Sequence, residues 1–221
     1  MTLGRYKKEM KTIPECSNLE CASMINVANS ARNFKNPTLA VEEAVKNGLI
    51  KSGQKILEIG SGNLRNLAFI SGKITRLKKS AYEVDSTLRK YDAIYDSFKK
   101  TGGVILRSYP NKNKYNVIIC TFVLETICPK TRRYYLLRRI KRSLKPDGLL
   151  VASFRGVSGV NGTKYKECSK KEGWLTPLHT FIKPYSIKEA KSLLKSCEFT
   201  KVALLQDYRV DTPKNIHLVA G

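Results

Sequence analysis

The chain has 221 residues, enough to bury one substantial core, and carries 41 Lys and Arg against 18 Asp and Glu, a net charge of +23. Cys16, Cys21, Cys120, Cys128, Cys168 and Cys197 form no CxxC pair, and the histidines are His179 and His217, a spacing that argues against a metal site. No stretch approaches the roughly 20 apolar residues of a membrane span, and the N-terminus lacks a signal peptide's apolar run, so the expectation is a cytoplasmic single-domain protein with no membrane partner.

Residues 1–35 read as an N-terminal extension and 36–221 as the domain. Leu39, Val41, Ala44, Val45 and Leu49 share one helical face, predicting a helix that ends near Asn47-Gly48. KILEI (55–59) is a short apolar run that meets the turn Gly60-Ser61-Gly62, and NLRNLAFIS (63–71) then opens a helix. Gly60 and Gly62 let the backbone turn sharply and approach a ligand, with Glu58 where the strand reaches the cleft; such a turn also serves plain helix packing in many α/β proteins. AYEV (81–84) is the next expected strand, followed by Asp85 and a helix over 86–100. Residues 104–106 and 116–122 read as strands, 131–144 as a helix stopped by Lys145-Pro146-Asp147-Gly148, and 149–154 as a buried strand. The texture changes over 156–184, rich in Gly, Lys and Ser without clear periodicity, as functional insertions often are. A helix over 186–199 and strands over 202–207 and 215–220 close the chain. Buried strands alternating with helices predict an α/β three-layer sandwich, a mostly parallel seven-stranded sheet with an antiparallel closing strand.

ILEIGSG (56–62) resembles the first motif of class I S-adenosylmethionine-dependent methyltransferases. GNLRN (62–66) is similar to the GNGRN variant of small enzymes such as the tellurite-resistance methyltransferases, with Leu64 in place of the third glycine. YEVDS, YNVIICTFVLETI and LKPDGLLVASF resemble the later motifs, in the family's order, between Asn36 and Phe154. The resemblance implies a Rossmann-like fold, S-adenosylmethionine as cofactor and S-adenosylhomocysteine as product. It implies cofactor contacts from Glu58, Gly60, Gly62, Asn63, Arg65, Asn66, Asp85, Thr121 and Phe122, with Arg65 and Asn66 beside the methionine end. Asp85 would accept from the ribose hydroxyls, its alternative being a helix N-cap.

Two departures narrow the chemistry. The segment after the third strand, ILRSYPNKNKY, offers no acid for adenine, and Thr121-Phe122-Val123-Leu124 stands where enzymes of exocyclic base amines carry an Asn/Asp-Pro-Pro-aromatic tetrad. Cys120 follows Ile119 rather than a proline and reads as a buried strand thiol, not a nucleophile. Tyr165, Trp174, His179 and Tyr185, in or next to the insertion, are acceptor-side candidates, with Tyr165 and His179 for acid–base work; the plainer reading of each is polar packing or a loop anchor.

The helix over 131–144 points Leu136, Leu137, Ile140 and Leu144 to the core, leaving Arg132, Arg138, Arg139, Lys141, Arg142 and Lys145 on other faces. That surface is either simply solvated or a phosphate contact. Three readings follow: a methyltransferase of a small molecule, favoured by the motif variant; a methyltransferase of nucleic acid or another polyanion, favoured by charge; and a non-catalytic binding module, favoured by Leu64 and the missing adenine acid. Gly60, Gly62 and Asp85 stand against the last.

Overall fold

The computed structural model describes residues 36–83, 93–110, 114–160, 166–167, 172–175, 181–206 and 213–221. Its strands are β1 (Lys55–Ile59), β2 (Lys78–Tyr82), β3 (Val104–Leu106), β4 (Tyr115–Thr121), β5 (Leu144–Arg155), β6 (Lys166–Glu167), β7 (Trp174–Leu175), β8 (Phe181–Ile182), β9 (Val202–Leu204) and β10 (Asn215–Ala220). The helices are α1 (Leu39–Lys46), α2 (Arg65–Lys73), α3 (Ala93–Lys100), α4 (Lys130–Ser143) and α5 (Ile187–Lys195).

Seven strands form one sheet in the order β3-β2-β1-β4-β5-β10-β9, and β6-β7-β8 form a separate three-stranded sheet. Pairing is parallel from β3 through β5, while β10 runs antiparallel to both β5 and β9. The expected mostly parallel sheet with an antiparallel closing strand is therefore present.

Strand side chains alternate between two cores. Leu57, Ile118, Cys120, Leu150, Ala152 and Phe154 face α4 and α5, packing with Leu137, Ile140, Leu193 and Leu194. Ile56, Val117, Ile119 and Val151 face α1, α2 and α3, packing with Val41, Leu67, Ile70 and Phe98. Helices thus cover both faces of the sheet.

Three boundaries differ from the sequence reading. β2 begins at Lys78, because its ladder with β1 runs from Lys55↔Lys78 to Ile59↔Tyr82; two exposed-looking lysines open the strand, and Glu83 is the first residue beyond it. Around the Pro146 stop, Leu144 pairs with Tyr115 and pairing resumes at Leu149 opposite Val117, so residues 145–148 loop out of the ladder. Finally, the insertion supplies β6, β7 and β8, strands of two residues each, too short to leave a periodic signal.

Candidate functional site

In an open α/β sheet, ligands bind at the carboxyl ends of the strands where the strand order reverses. Here that point lies between β1 and β4. β1 runs into the turn Gly60-Ser61-Gly62, with Gly60 at φ +65° and Gly62 at φ +50°. A β-carbon added at Gly60 would overlap the Cγ2 methyl of Val123, just past β4, so the turn sits directly against that strand's end.

Hydrogen bonds hold the turn from outside. The Gly60 amide donates to the Tyr82 carbonyl (2.9 Å), and the Gly62 amide donates to Glu83 Oε2 (2.8 Å). The Tyr95 hydroxyl, on α3, donates to the Gly62 carbonyl (2.6 Å) and lies 3.1 Å from Ser61 Oγ. Leu64, two residues after the turn, has φ +61°, and its side chain is buried. A non-glycine residue pays roughly 1–2 kcal/mol for that backbone. Burial of a leucine side chain, worth about 1.5–3 kcal/mol, offsets it.

Beneath the turn, three elements meet through one buried asparagine. Asn66 Nδ2, in the first turn of α2, donates to Glu58 Oε1 (2.7 Å) on β1 and to Thr121 Oγ1 (3.3 Å) on β4. Its Oδ1 accepts from the Thr38 amide (2.8 Å) and hydroxyl (3.2 Å) at the head of α1. Asn66→Ala strands the Thr38 amide and takes a hydrogen-bond donor from the Glu58 carboxylate. Leaving buried polar groups unmet should destabilise the protein by about 3 kcal/mol. A melt followed by circular dichroism should show a fall of several degrees; a change below about 1 kcal/mol would count against the junction.

Glu58 is fully enclosed, and burial pushes its carboxyl up to about 8, against the pull of Asn66 and Arg65. Its Oε2 has no hydrogen-bond partner among the described residues. Arg65, half-buried at the start of α2, has its own pKa lowered by desolvation. Asn63 is half-buried in the turn. Thr121 ends β4, and Phe122 follows at φ +58°. The Phe122 ring meets His217 edge-on at 6.2 Å and lies under the Arg155 guanidinium at 5.5 Å. His217, bonded to Ser153 Oγ at 2.9 Å, is pushed down to about 4 by burial and is neutral at physiological pH. Burial raises the Cys120 thiol well above its ordinary range, which fits a packing role.

Glu58, Asn66 and Thr121 thus meet beneath the Gly60–Gly62 turn at the carboxyl ends of β1 and β4, and Phe122 follows Thr121. Asp85, Tyr165 and His179 lie outside the described residues. Trp174 is half-buried in β7, opposite Ile182 of β8. Tyr185 is buried against Phe154, with its hydroxyl unmet among the described residues.

The small sheet docks over residues 124–130. The Lys183 amide donates to the Glu125 carbonyl (2.8 Å), and Leu175 and Phe181 pack on Cys128. Glu172 Oε2 accepts from the Lys130 amide at the head of α4 (2.7 Å) and from Arg133 (2.9 Å), a carboxylate placed where the helix dipole favours it. Below it sits Glu125, fully buried, its carboxyl raised to about 8 by burial and drawn down by the charge of Arg155.

Sequence reasoning missed Thr38, Glu83, Tyr95, Glu125 and the buried Arg133. Glu83 alone carried a signal, as an acid two positions before Asp85 in YEVDS.

No protein-family model and no curated protein matches the chain. Solved structures do share its fold. A Burkholderia thailandensis 1,6-didemethyltoxoflavin-N1-methyltransferase, with 1,6-didemethyltoxoflavin and S-adenosylhomocysteine bound, superposes with TM-score 0.65 at 12% identity, over 90% of this chain and 85% of that one. An S-adenosylmethionine-dependent methyltransferase from Aquifex aeolicus gives 0.57 at 19%, over 87% and 97%. The [4+2]-cyclase SpnF gives 0.53 at 14%, over 76% and 58%. The architecture is that of S-adenosylmethionine-dependent methyltransferases, and the cyclase demonstrates that this architecture does not by itself dictate the reaction.

Proposed function

We propose that the chain is an S-adenosylmethionine-dependent methyltransferase acting on a small-molecule acceptor. The observation that carries this reading is the Glu58–Asn66–Thr121 junction beneath the Gly60–Gly62 turn, at the point where the strand order reverses. The residues there fit the cofactor. The unmet Glu58 Oε2 is suited to the ammonium of its methionine end, Gly60 leaves backbone open to close approach, and Asn63 and Arg65 stand at the head of α2. Asp85 is the ribose ligand in this reading. Glu83 already holds the Gly62 amide and keeps the turn in shape. Thr121 and Phe122 form the opposite wall.

When bound, the cofactor's sulfonium supplies an already activated methyl group. What the chain must add is position: an acceptor held in line and water kept out. The small sheet docked over residues 124–130 is suited to roofing the acceptor, and a small acceptor accords with the bound compound of the Burkholderia structure. Tyr165 and His179, in the same insertion, are the acid–base candidates should the acceptor carry a proton.

Calorimetry with S-adenosylhomocysteine tests the cofactor. Wild type should bind, and Asp85→Ala and Glu83→Ala should each lose about ten- to a hundredfold, the worth of a charge-assisted hydrogen bond. No binding by wild type would end this reading. Transfer of labelled methyl into the small-molecule fraction of an extract tests the acceptor class, and label in nucleic acid or protein instead would overturn it.

A further inference from the structure

At the opposite end of the sheet from the glycine turn, a groove of about 570 Å³ opens beside the strand starts. Lys55, the first residue of β1, Lys78 and Lys79, the first two of β2, and Lys114, just before β4, line it together with Tyr109 and Tyr115. No carboxylate is among its walls, and none of these four lysines has an ion-pair partner among the described residues. Lys55 lies over the Tyr115 ring at 5.2 Å, whereas Lys79, next to Lys78 on β2, turns to the other face of the sheet, where it is buried with its ammonium 5.6 Å from the Phe98 ring centre and 3.5 Å from the Thr101 hydroxyl. Like charges gathered in one concavity repel each other, and an anion relieves that repulsion. Cations at helix ends complement the helix dipole, as Lys46, Lys73 and Lys99 do in the last turns of α1, α2 and α3. Lys55, Lys78 and Lys79 begin strands, so no helix dipole accounts for them.

We propose that this groove binds the phosphodiester backbone of a nucleic acid, as an anchoring surface separate from the ligand crevice. A single strand of phosphates can lie within a concave wall, whereas a flat membrane surface meets only its rims. Val104 is the one exposed large apolar side chain in the lining, too little for insertion into lipid. The cations that face it, Lys55, Lys78 and Lys114, are lysines, which bind a run of phosphates as point charges. Five residue steps along β1 take the chain from Lys55 to Gly60, about 16 Å. Nucleic acid in the groove therefore leaves the crevice open. The inference is independent of the methyltransferase reading.

The test is fluorescence anisotropy of the full chain with a labelled single-stranded RNA 20-mer of random sequence. With three phosphates engaged, by Lys55, Lys78 and Lys114, the log–log salt slope should be about −2, a loss of about twentyfold between 50 and 200 mM salt. Reversing two exposed lysines, K78E/K114E, should cut affinity at least tenfold and flatten the slope by about 1.4. K188E/K191E on α5 makes the same change in net charge away from the groove and should cost under threefold. K78A/K114A should fall between wild type and the reversal. Melting curves report the fold of each variant, and S-adenosylhomocysteine should neither compete with RNA nor bind these variants differently from wild type. The proposal is overturned if wild type fails to bind RNA at 50 mM salt, or if K78E/K114E keeps wild-type affinity and slope. It is overturned equally if the α5 control loses as much, or if phosphatidylserine vesicles or polyglutamate bind better than RNA.

Discussion

Gly60→Ala should raise the dissociation constant for S-adenosylhomocysteine at least thirtyfold and lower the melting temperature by several degrees. Two costs combine at this position. A φ of +65° is unfavourable for any residue with a β-carbon, by roughly 1–2 kcal/mol. The added carbon would also overlap Val123 Cγ2. Val123 has little room to yield: it is β-branched, preceded by Phe122 at φ +58° and followed by the fully buried Leu124. Relief must come from moving the turn itself, which carries the crevice's backbone with it. Two companion variants separate the costs. Gly48 has the same φ with nothing within 4 Å of an added β-carbon, so Gly48→Ala should show the backbone cost alone and leave ligand affinity unchanged. In Gly60→Ala/Val123→Ala the overlap is gone, and more than half of the lost binding free energy should return. Wild-type affinity in the single Gly60 variant would remove the turn from the binding site.

The second large effect is on pH. Glu58 and Glu125 both have carboxyls raised to about 8 by burial, whereas in an unfolded chain each returns to its ordinary value of 4.5. Between those limits the folded state retains protons that the unfolded state has released. Their contribution to stability is therefore complete below about pH 4.5, declines as pH rises towards 8, and is spent above it. The apo protein should melt at progressively lower temperature from pH 5 to pH 8, and Glu58→Gln or Glu125→Gln should each remove one share of the slope. Ligand binding distinguishes the two. If the ligand's ammonium pairs with Glu58, that carboxyl must ionise, and binding at pH 7 should release close to one proton. Calorimetry in buffers of different ionisation enthalpy measures this directly. Proton release should persist in Glu125→Gln and vanish in Glu58→Gln; persistence in Glu58→Gln would place the ammonium elsewhere.

What the sequence could and could not convey follows from the range of the interactions. KILEI, the glycine turn and the following helix are local features, and β1, Gly60, Gly62 and α2 appear where the pattern places them. β2 starts three residues before the pattern places it because Lys78 and Lys79 look like solvent-facing loop, and only the ladder with β1 makes them strand. Thr38 and Tyr95 left no trace because their partners lie 28 and 33 residues away, and nothing in the spacing of a threonine or a tyrosine announces such a bond. Arg133 belongs to a helix that reads as basic and solvated, yet it is buried because Glu172 arrives from a distant insertion to meet it. Leu64 looked like damage to a glycine pattern. It keeps the left-handed backbone that glycine favours and fills the core with its side chain instead.

The position of β10 has a consequence for how the molecule is made. Residues 215–220 lie between β5 and β9, and β9 joins the sheet only through them. During synthesis, β1 to β5 can assemble while the edge of β5 waits unpaired, a row of open amides and carbonyls that invites pairing with another chain. Closure depends on contacts such as Leu218↔Ala152, far apart in sequence and slow to form. A ribosome that stalls before Asn215 would leave the sheet with its most adhesive edge exposed, so chaperone demand should concentrate between the synthesis of β5 and that of β10.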